Sequence, residues 1–225
     1  MKRQSGILIG GLLILLLWGC RPSSVLLSPL PSKLESIEGY ASLRLSQGDE
    51  STRSKFTFVL RIPSHGLIEV SDFLGRSIYR IVIDPNAAYL VVPSKKIYWK
   101  GEEAEIINKF LGFRLTLAEM ISVISGEWTA GDGNDLAGWQ LERDSEGRIL
   151  AGRRQELVFS VEDFVEETRF PRSLNFTHPL NTGRLKILKM DFNRLTQLTL
   201  FSMSFLETYQ EKTWAEIQAL LNNAD

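Results

Sequence analysis

The chain has 225 residues, 44% hydrophobic and 24% charged, with 26 basic and 27 acidic residues, two histidines and one cysteine. That length suits one domain whose core buries about 70% of the unfolded surface without a disulfide or metal staple. The balanced charge, with no basic stripe, argues against nucleic acid, the lone cysteine excludes an internal disulfide, and two distant histidines are too few for an ordinary zinc site.

The first twenty residues read as an export signal. Lys2 and Arg3 form a charged start, residues 7–17 are almost wholly apolar, and Leu17-Trp18-Gly19-Cys20 is the small-residue cleavage site of a bacterial lipobox. This predicts a cleaved signal peptide over residues 1–19 and acylation of Cys20. The apolar run falls short of the about 20 residues that span ~30 Å of hydrocarbon, so a retained transmembrane helix is the weaker reading. Taking 19 residues from 225 leaves 206, and taking Lys2 and Arg3 from 26 basic residues leaves 24 against 27, a net charge of −3. Each buried methylene of an acyl chain contributes about 0.8 kcal/mol, so a multiply acylated Cys20 is a lasting membrane anchor. Arg21, in place of an aspartate, predicts the outer membrane, on its periplasmic side. Residues 20–38, with Pro22, Ser23, Ser24, Ser28, Pro29, Pro31 and Ser32, read as the lipidated cysteine and a flexible tether, leaving a domain over 39–225.

The body opens with period-two alternation. Ala41, Leu43 and Leu45, then Phe56, Phe58, Leu60 and Ile62, share one face of two strands joined at Gly48-Asp49. Further strand patterns cover 67–73, 77–83, 88–92 and 97–99, with turns at Gly75 and Pro85-Asn86. Two helices follow. Glu102, Glu103 and Glu105 begin the first, Ala104, Ile107 and Leu111 share its face, and Gly112 caps it. Thr116 and Glu119 form a capping box for the second, with Leu117, Met120, Ile121 and Ile124 on one side and Gly126 after it. Strand patterns resume at 138–143, 148–151, 157–161, 173–177 and 184–192, with Pro171 and Pro179 around one of them. Thr213 and Glu216 open a terminal helix carrying Trp214, Ile217, Leu220 and Leu221. The fold class is therefore α+β, mainly antiparallel β.

Few residues point to chemistry. His65 and His178 read as turn or surface residues. Asp132, Asn134 and Asp135 lack the closing glutamate and spacing of a calcium loop. Glu162, Asp163, Glu166 and Glu167 read as a solvent-facing cluster in preference to paired catalytic carboxylates. No phosphate loop, nucleophile elbow or thiol centre is present, and no cofactor, metal or catalytic residue is expected.

Several local motifs, in order, resemble the LolB family of outer-membrane lipoproteins and the wider LolA/LolB half-barrel fold. They are Asp72-Phe73-Leu74-Gly75, the helical block from Tyr98 to Ile124 with its Leu115-Thr116-Leu117 link, and Phe170-Pro171-Arg172-Ser173-Leu174 leading into residues 185–191. The resemblance runs from about Gly39 to Asn193, with a C-terminal extension from about residue 195. It implies a curved half-barrel sheet whose concave face is covered by helices over an apolar cavity. It also implies a monomer that accepts acylated lipoprotein cargo from a LolA-like periplasmic carrier and inserts it into the outer membrane. By position, Phe73 and Leu74 are the membrane-delivery loop, and Phe56, Phe58, Leu60, Phe110, Met120, Ile124 and Phe159 are acyl-cavity candidates, although periodicity alone reads them equally as core. Phe73 stands where the family has proline. A rival reading is an envelope scaffold or assembly-complex lipoprotein that binds a protein partner without lipid transfer; a lipid hydrolase lacks a nucleophile and base.

Overall fold

The computed structural model describes Val25, Leu26 and residues 28–72, 74–128, 138–194 and 197–222. Alternating apolar residues build β1 (Ser36–Gln47), β2 (Glu50–Arg61), β3 (His65–Ser71), β4 (Ser77–Asp84), β5 (Ala87–Val92) and β6 (Ile97–Gly101). Helices α1 (Glu103–Leu111) and α2 (Leu117–Ser125) follow, then β7 (Gln140–Arg143), β8 (Ile149–Arg154), β9 (Leu157–Phe164), β10 (Pro171–His178) and β11 (Asn181–Phe192). The chain ends with two 3₁₀ turns, Leu198–Phe201 and Ser204–Thr208, a short β12 (Gln210–Glu211) and α3 (Trp214–Asn222).

The strands form one 12-stranded sheet in the order β12-β6-β5-β4-β3-β2-β1-β11-β10-β9-β8-β7, open at both edges. Pairing is antiparallel throughout except for β12 on β6. The first and last long strands meet at its centre, Ala41 opposite Ile187 and Leu43 opposite Leu185. β1 and β2 turn back over Gly48-Asp49, with Gln47 opposite Glu50 and Gly48 at φ +57°, a left-handed conformation that glycine adopts without strain. At Gly39 the chains crowd: a Cβ there would lie 2.4 Å from the Lys189 carbonyl oxygen and 2.7 Å from the Phe58 ring, beside the bulge after Tyr40. The sheet's concave face carries Phe56, Phe58, Leu60, Ile68, Val70, Ile81, Ile83 and Leu90, all buried.

The chain enters the sheet earlier than the pattern predicts. β1 starts at Ser36, and Asn193, ending β11 at φ +50°, clamps that start. Its Oδ1 accepts the Glu35 and Ser36 amides at 2.8 and 3.1 Å, and its Nδ2 donates to the Lys33 carbonyl at 2.7 Å. The proline-rich segment is partly taken up too. β10 leaves β11 beyond Lys186, freeing an edge of β11 where the Met190 amide donates to the Val25 carbonyl at 2.8 Å and Leu26 packs on the core.

The C-terminal extension does two things. Its first 3₁₀ turn lies on β3 and β4, with Phe201 5.2 Å from the His65 ring. Alternation puts Val82 and Val91 on the convex side, opposite Ile81 and Leu90, yet they are buried, as are Phe201 and Leu206. Residues 197–209 are thus a strap over the convex face. α3 then returns to the core side, where Trp214 meets Trp99 at 5.5 Å and Ile217 is fully buried.

Candidate functional site

The two central helices form on local instructions and lie over the concave face. In α1 the first-turn acids suit the helix dipole, and Gly112 at φ +76° ends it by donating its amide to the Asn108 carbonyl at 2.8 Å. In α2 the capping box is complete: the Thr116 side chain accepts the Glu119 amide and the Glu119 side chain accepts the Thr116 amide. Glu103 of α1 also accepts the Leu117 amide, tying the helices together. α1 packs on β4 and β5, α2 on β10.

Between helices and sheet lies a void lined only by apolar side chains. Of the acyl-cavity candidates, Phe56, Phe58, Phe110, Met120 and Ile124 border it, together with Ile68, Leu111, Leu115, Val123, Phe176 and Leu185. Its volume is about 20 Å³. That is about one water-sized sphere without a polar partner, so it is dry and far too small for a fatty tail. Phe110 fills much of the space, standing edge-on to Phe56 at 4.9 Å between ring centres. The interior is therefore closed, and the open hollow expected from the resemblance is absent in this conformation. Two candidates lie elsewhere. Leu60 is fully buried away from the void, and Phe159 stacks on Trp128 at 5.4 Å and meets Trp139 at a tilt, also at 5.4 Å, farther along the sheet.

A buried polar latch that sequence reasoning missed holds the cover down. Glu119 is fully buried, accepts a 2.8 Å hydrogen bond from Trp139 Nε1 and pairs with Arg154 of β8. Arg154 also donates to the Arg114 carbonyl at 2.8 Å and lies 5.0 Å over the Trp139 ring; burial lowers its pKa. Asn181, the first residue of β11, donates its Nδ2 to the Gly112 carbonyl at 2.7 Å. A glutamate inside a capping box gives no sign in the sequence that it also receives an arginine 35 residues away.

At the rim, the β3–β4 loop is a built structure. The Asp72 carboxylate accepts the Leu74 amide at 2.8 Å, the Arg76 amide at 2.9 Å and Arg76 Nε at 2.7 Å, while Gly75 takes φ +79°. These donors, the Arg76 amide first, hold the Asp72 pKa below the usual carboxylate range. Leu74 stands 64% exposed on this frame. The β7–β8 loop repeats it: Asp144 accepts the Glu146 amide at 2.9 Å, the Arg148 amide at 2.9 Å and Arg148 Nε at 2.7 Å, with Gly147 at φ +80°. Both segments read Asp-x-x-Gly-Arg, and where one carries Leu74 the other carries Glu146. Phe73 and Cys20 lie outside the described residues.

The remaining sequence candidates separate. His65 starts β3 and His178 ends β10, the latter 3.8 Å from Glu156. Glu162 is not simply solvated, for it accepts from Ser173 Oγ at 2.8 Å and Asn175 Nδ2 at 2.7 Å and pairs with Arg184; Asp163 faces Arg172 at 3.6 Å. These two carboxylates are engaged across strands, and Glu166 and Glu167 are exposed in the β9–β10 turn. Residues 132–135 lie outside the described residues. Among the described residues there is no metal-ligand cluster and no helix long and apolar enough to cross a membrane.

No protein-family model and no curated protein sequence matches this chain. Solved structures do. The fold is similar to that of a LolA superfamily protein from Nitrosomonas europaea, at TM-score 0.56 and 10% identity over 76% of this chain and 92% of that one. It is equally similar, at TM-score 0.56 and 11% identity over 78% and 93%, to an outer membrane lipoprotein-sorting protein domain from Vibrio parahaemolyticus. At these identities the likeness is one of fold: an open, curved antiparallel sheet with a helical cover, as in the LolA superfamily.

Proposed function

We propose that the protein is a lipid-anchored outer-membrane acceptor, held by Cys20, that takes acylated lipoproteins from a LolA-like carrier and passes their acyl chains to the membrane through the Leu74 loop. The observation that carries this reading is the exposure of Leu74 on a rigid frame that, at its second occurrence, presents a glutamate. Exposing a leucine forgoes about 1.5–3 kcal/mol of burial, and the frame does not require it.

On this reading the closed interior has to open. To admit a chain, α1 and α2 must lift and the apolar face over Phe56 and Phe110 must part. A dozen methylenes at about 0.8 kcal/mol each return roughly 10 kcal/mol, offset by the contacts broken on opening. A net affinity between those of carrier and bilayer is what directional hand-over needs, since each step runs only by differential affinity. No bond is cleaved, so no catalytic group is required.

A second reading, an envelope scaffold that binds a protein partner, is favoured by the filled interior and by Leu198, Leu200 and Phe205, exposed on the strap. Mixing the protein with a carrier loaded with acylated lipoprotein separates the two. Passage of cargo to this protein supports the acceptor; cargo that stays on the carrier leaves the scaffold.

A further inference from the structure

The two most exposed large apolar side chains among the described residues are Leu180, at 69%, and Leu74, at 64%. The topology puts them at one end of the sheet. Hairpins β3–β4, β1–β2 and β10–β11 are consecutive neighbours in the strand order, and all turn at the same end. Leu74 is at the tip of the first and Leu180, after Pro179, at the tip of the third. Four strand spacings of about 4.8 Å separate the tips by roughly 19 Å across the strands, and the register carries the β10–β11 tip several residues beyond the β3–β4 tip.

Charge follows the same polarity. Arg44, Arg53, Lys55, Lys95 and Lys96 are exposed towards this rim, and no ion pair to any of them is found among the described residues. The acids there are Asp49 and Glu50 at the central hairpin tip, Glu211 of β12, which lies beside the Lys95–Lys96 turn and accepts from Tyr98, Asp72, spent on Arg76, and Glu156, which faces His178. The opposite rim holds the turns with Asp84, Glu146, Glu166 and Glu167, and there the repeated loop carries its glutamate.

We infer that this rim is a two-point docking surface for a bilayer containing anionic lipid, with Leu180 a second insertion point beside Leu74 and the unpaired cations resting on the headgroups. The inference rests on the membrane-delivery reading of Leu74 and extends it. A single inserted leucine leaves the domain free to pivot; two, about 19 Å apart across the strands, fix which way the covered cavity faces the lipid. Basic residues near a negatively charged leaflet add attraction that falls off within a Debye length.

The test uses the full chain reconstituted through its anchor into vesicles with and without phosphatidylglycerol. An environment-sensitive dye is attached at Leu74→Cys, Leu180→Cys or Glu146→Cys, and the parent protein, whose one cysteine is Cys20, sets the background. In anionic vesicles the dyes at 74 and 180 should brighten several-fold, shift to the blue and be quenched by headgroup-level nitroxide lipids, while the dye at 146 stays as in water. In zwitterionic vesicles both responses should fall at least twofold. A response at 74 with none at 180 overturns the two-point surface and leaves the delivery reading standing. No response at either position overturns both, and equal responses at all three overturn the orientation.

Discussion

Asp72 holds Arg76 through a 2.7 Å contact between Oδ2 and Nε, and the same distance, partners and flanking glycine recur at Asp144 and Arg148. The two loops are one piece of chemistry used twice, at opposite ends of the sheet. Because the frame tolerates a glutamate at its tip, the leucine at the other tip is a property of that rim and not of the turn.

This gives the first prediction. Leu74→Glu should leave thermal stability within about 0.5 kcal/mol, as surface substitutions away from packed features do. Cargo uptake should be normal, and delivery to liposomes should fall at least tenfold. Delivery at the parent rate would remove the loop from the mechanism.

The loops also predict a pH response. The Asp72 carboxyl is held below the usual range chiefly by the Arg76 amide, and that of Asp144 chiefly by the Arg148 side chain. A depressed folded pKa means the stabilisation is fully present above the unfolded value of 3.8 and is lost as pH falls through the lower folded value. Glu216, brought down to about 2 first by the Thr213 amide, should release the start of α3 between pH 4.5 and about 2. Hydrogen exchange measured from pH 5 downward should show the amides of Leu74, Arg76 and Thr213, which the Asp72 and Glu216 carboxylates hold, losing protection before the sheet does. Simultaneous loss with the sheet would contradict it.

The latch can be separated from the core. Replacing Arg154 by Met strands the fully buried Glu119, and removing one partner of such a pair costs about 3–5 kcal/mol. Glu119→Gln with Arg154→Met should recover much of that in urea unfolding while leaving the helical cover more mobile. If the cover gates the interior, the double variant should take up an acylated peptide faster than the parent. An unchanged uptake rate would show that the cover does not open on this side.

The strap predicts a convex-face dependence. Phe201→Ala should cost about 3–5 kcal/mol, as for a buried phenylalanine, and bare Val82 and Val91 enough to bind a hydrophobic dye. Leu198→Ala, at an exposed site, should do neither. Equal effects of the two would mean that the strap does not cover this face.

Much of this was readable from residue order. Period-two alternation located β1 to β6, and the Thr116–Glu119 pair with Gly112 and Gly126 fixed both central helices to within about a residue, since each signal is local. The pairing of β1 with β11 was not readable, because partners 136 to 155 residues apart leave no local trace. Nor was the strap: its run of Leu198, Leu200, Phe201 and Leu206 has neither helix nor strand period, being two 3₁₀ turns, the first of them packed on β3 and β4. At the site, five of the seven acyl-cavity candidates border the small dry void. Whether that void was full or empty could not be read, because apolar side chains follow the same pattern around a packed core and around a pocket.

The central claim is that this packed interior opens to alkyl chains. Native mass spectrometry of the protein with a diacylated peptide, paired with hydrogen exchange over α1 and α2, tests it most directly. The account predicts a 1:1 complex in which helix amides near Phe110 and Met120 change protection, and none with the unacylated peptide. No complex at any ratio, with unaltered exchange in both helices, would contradict it.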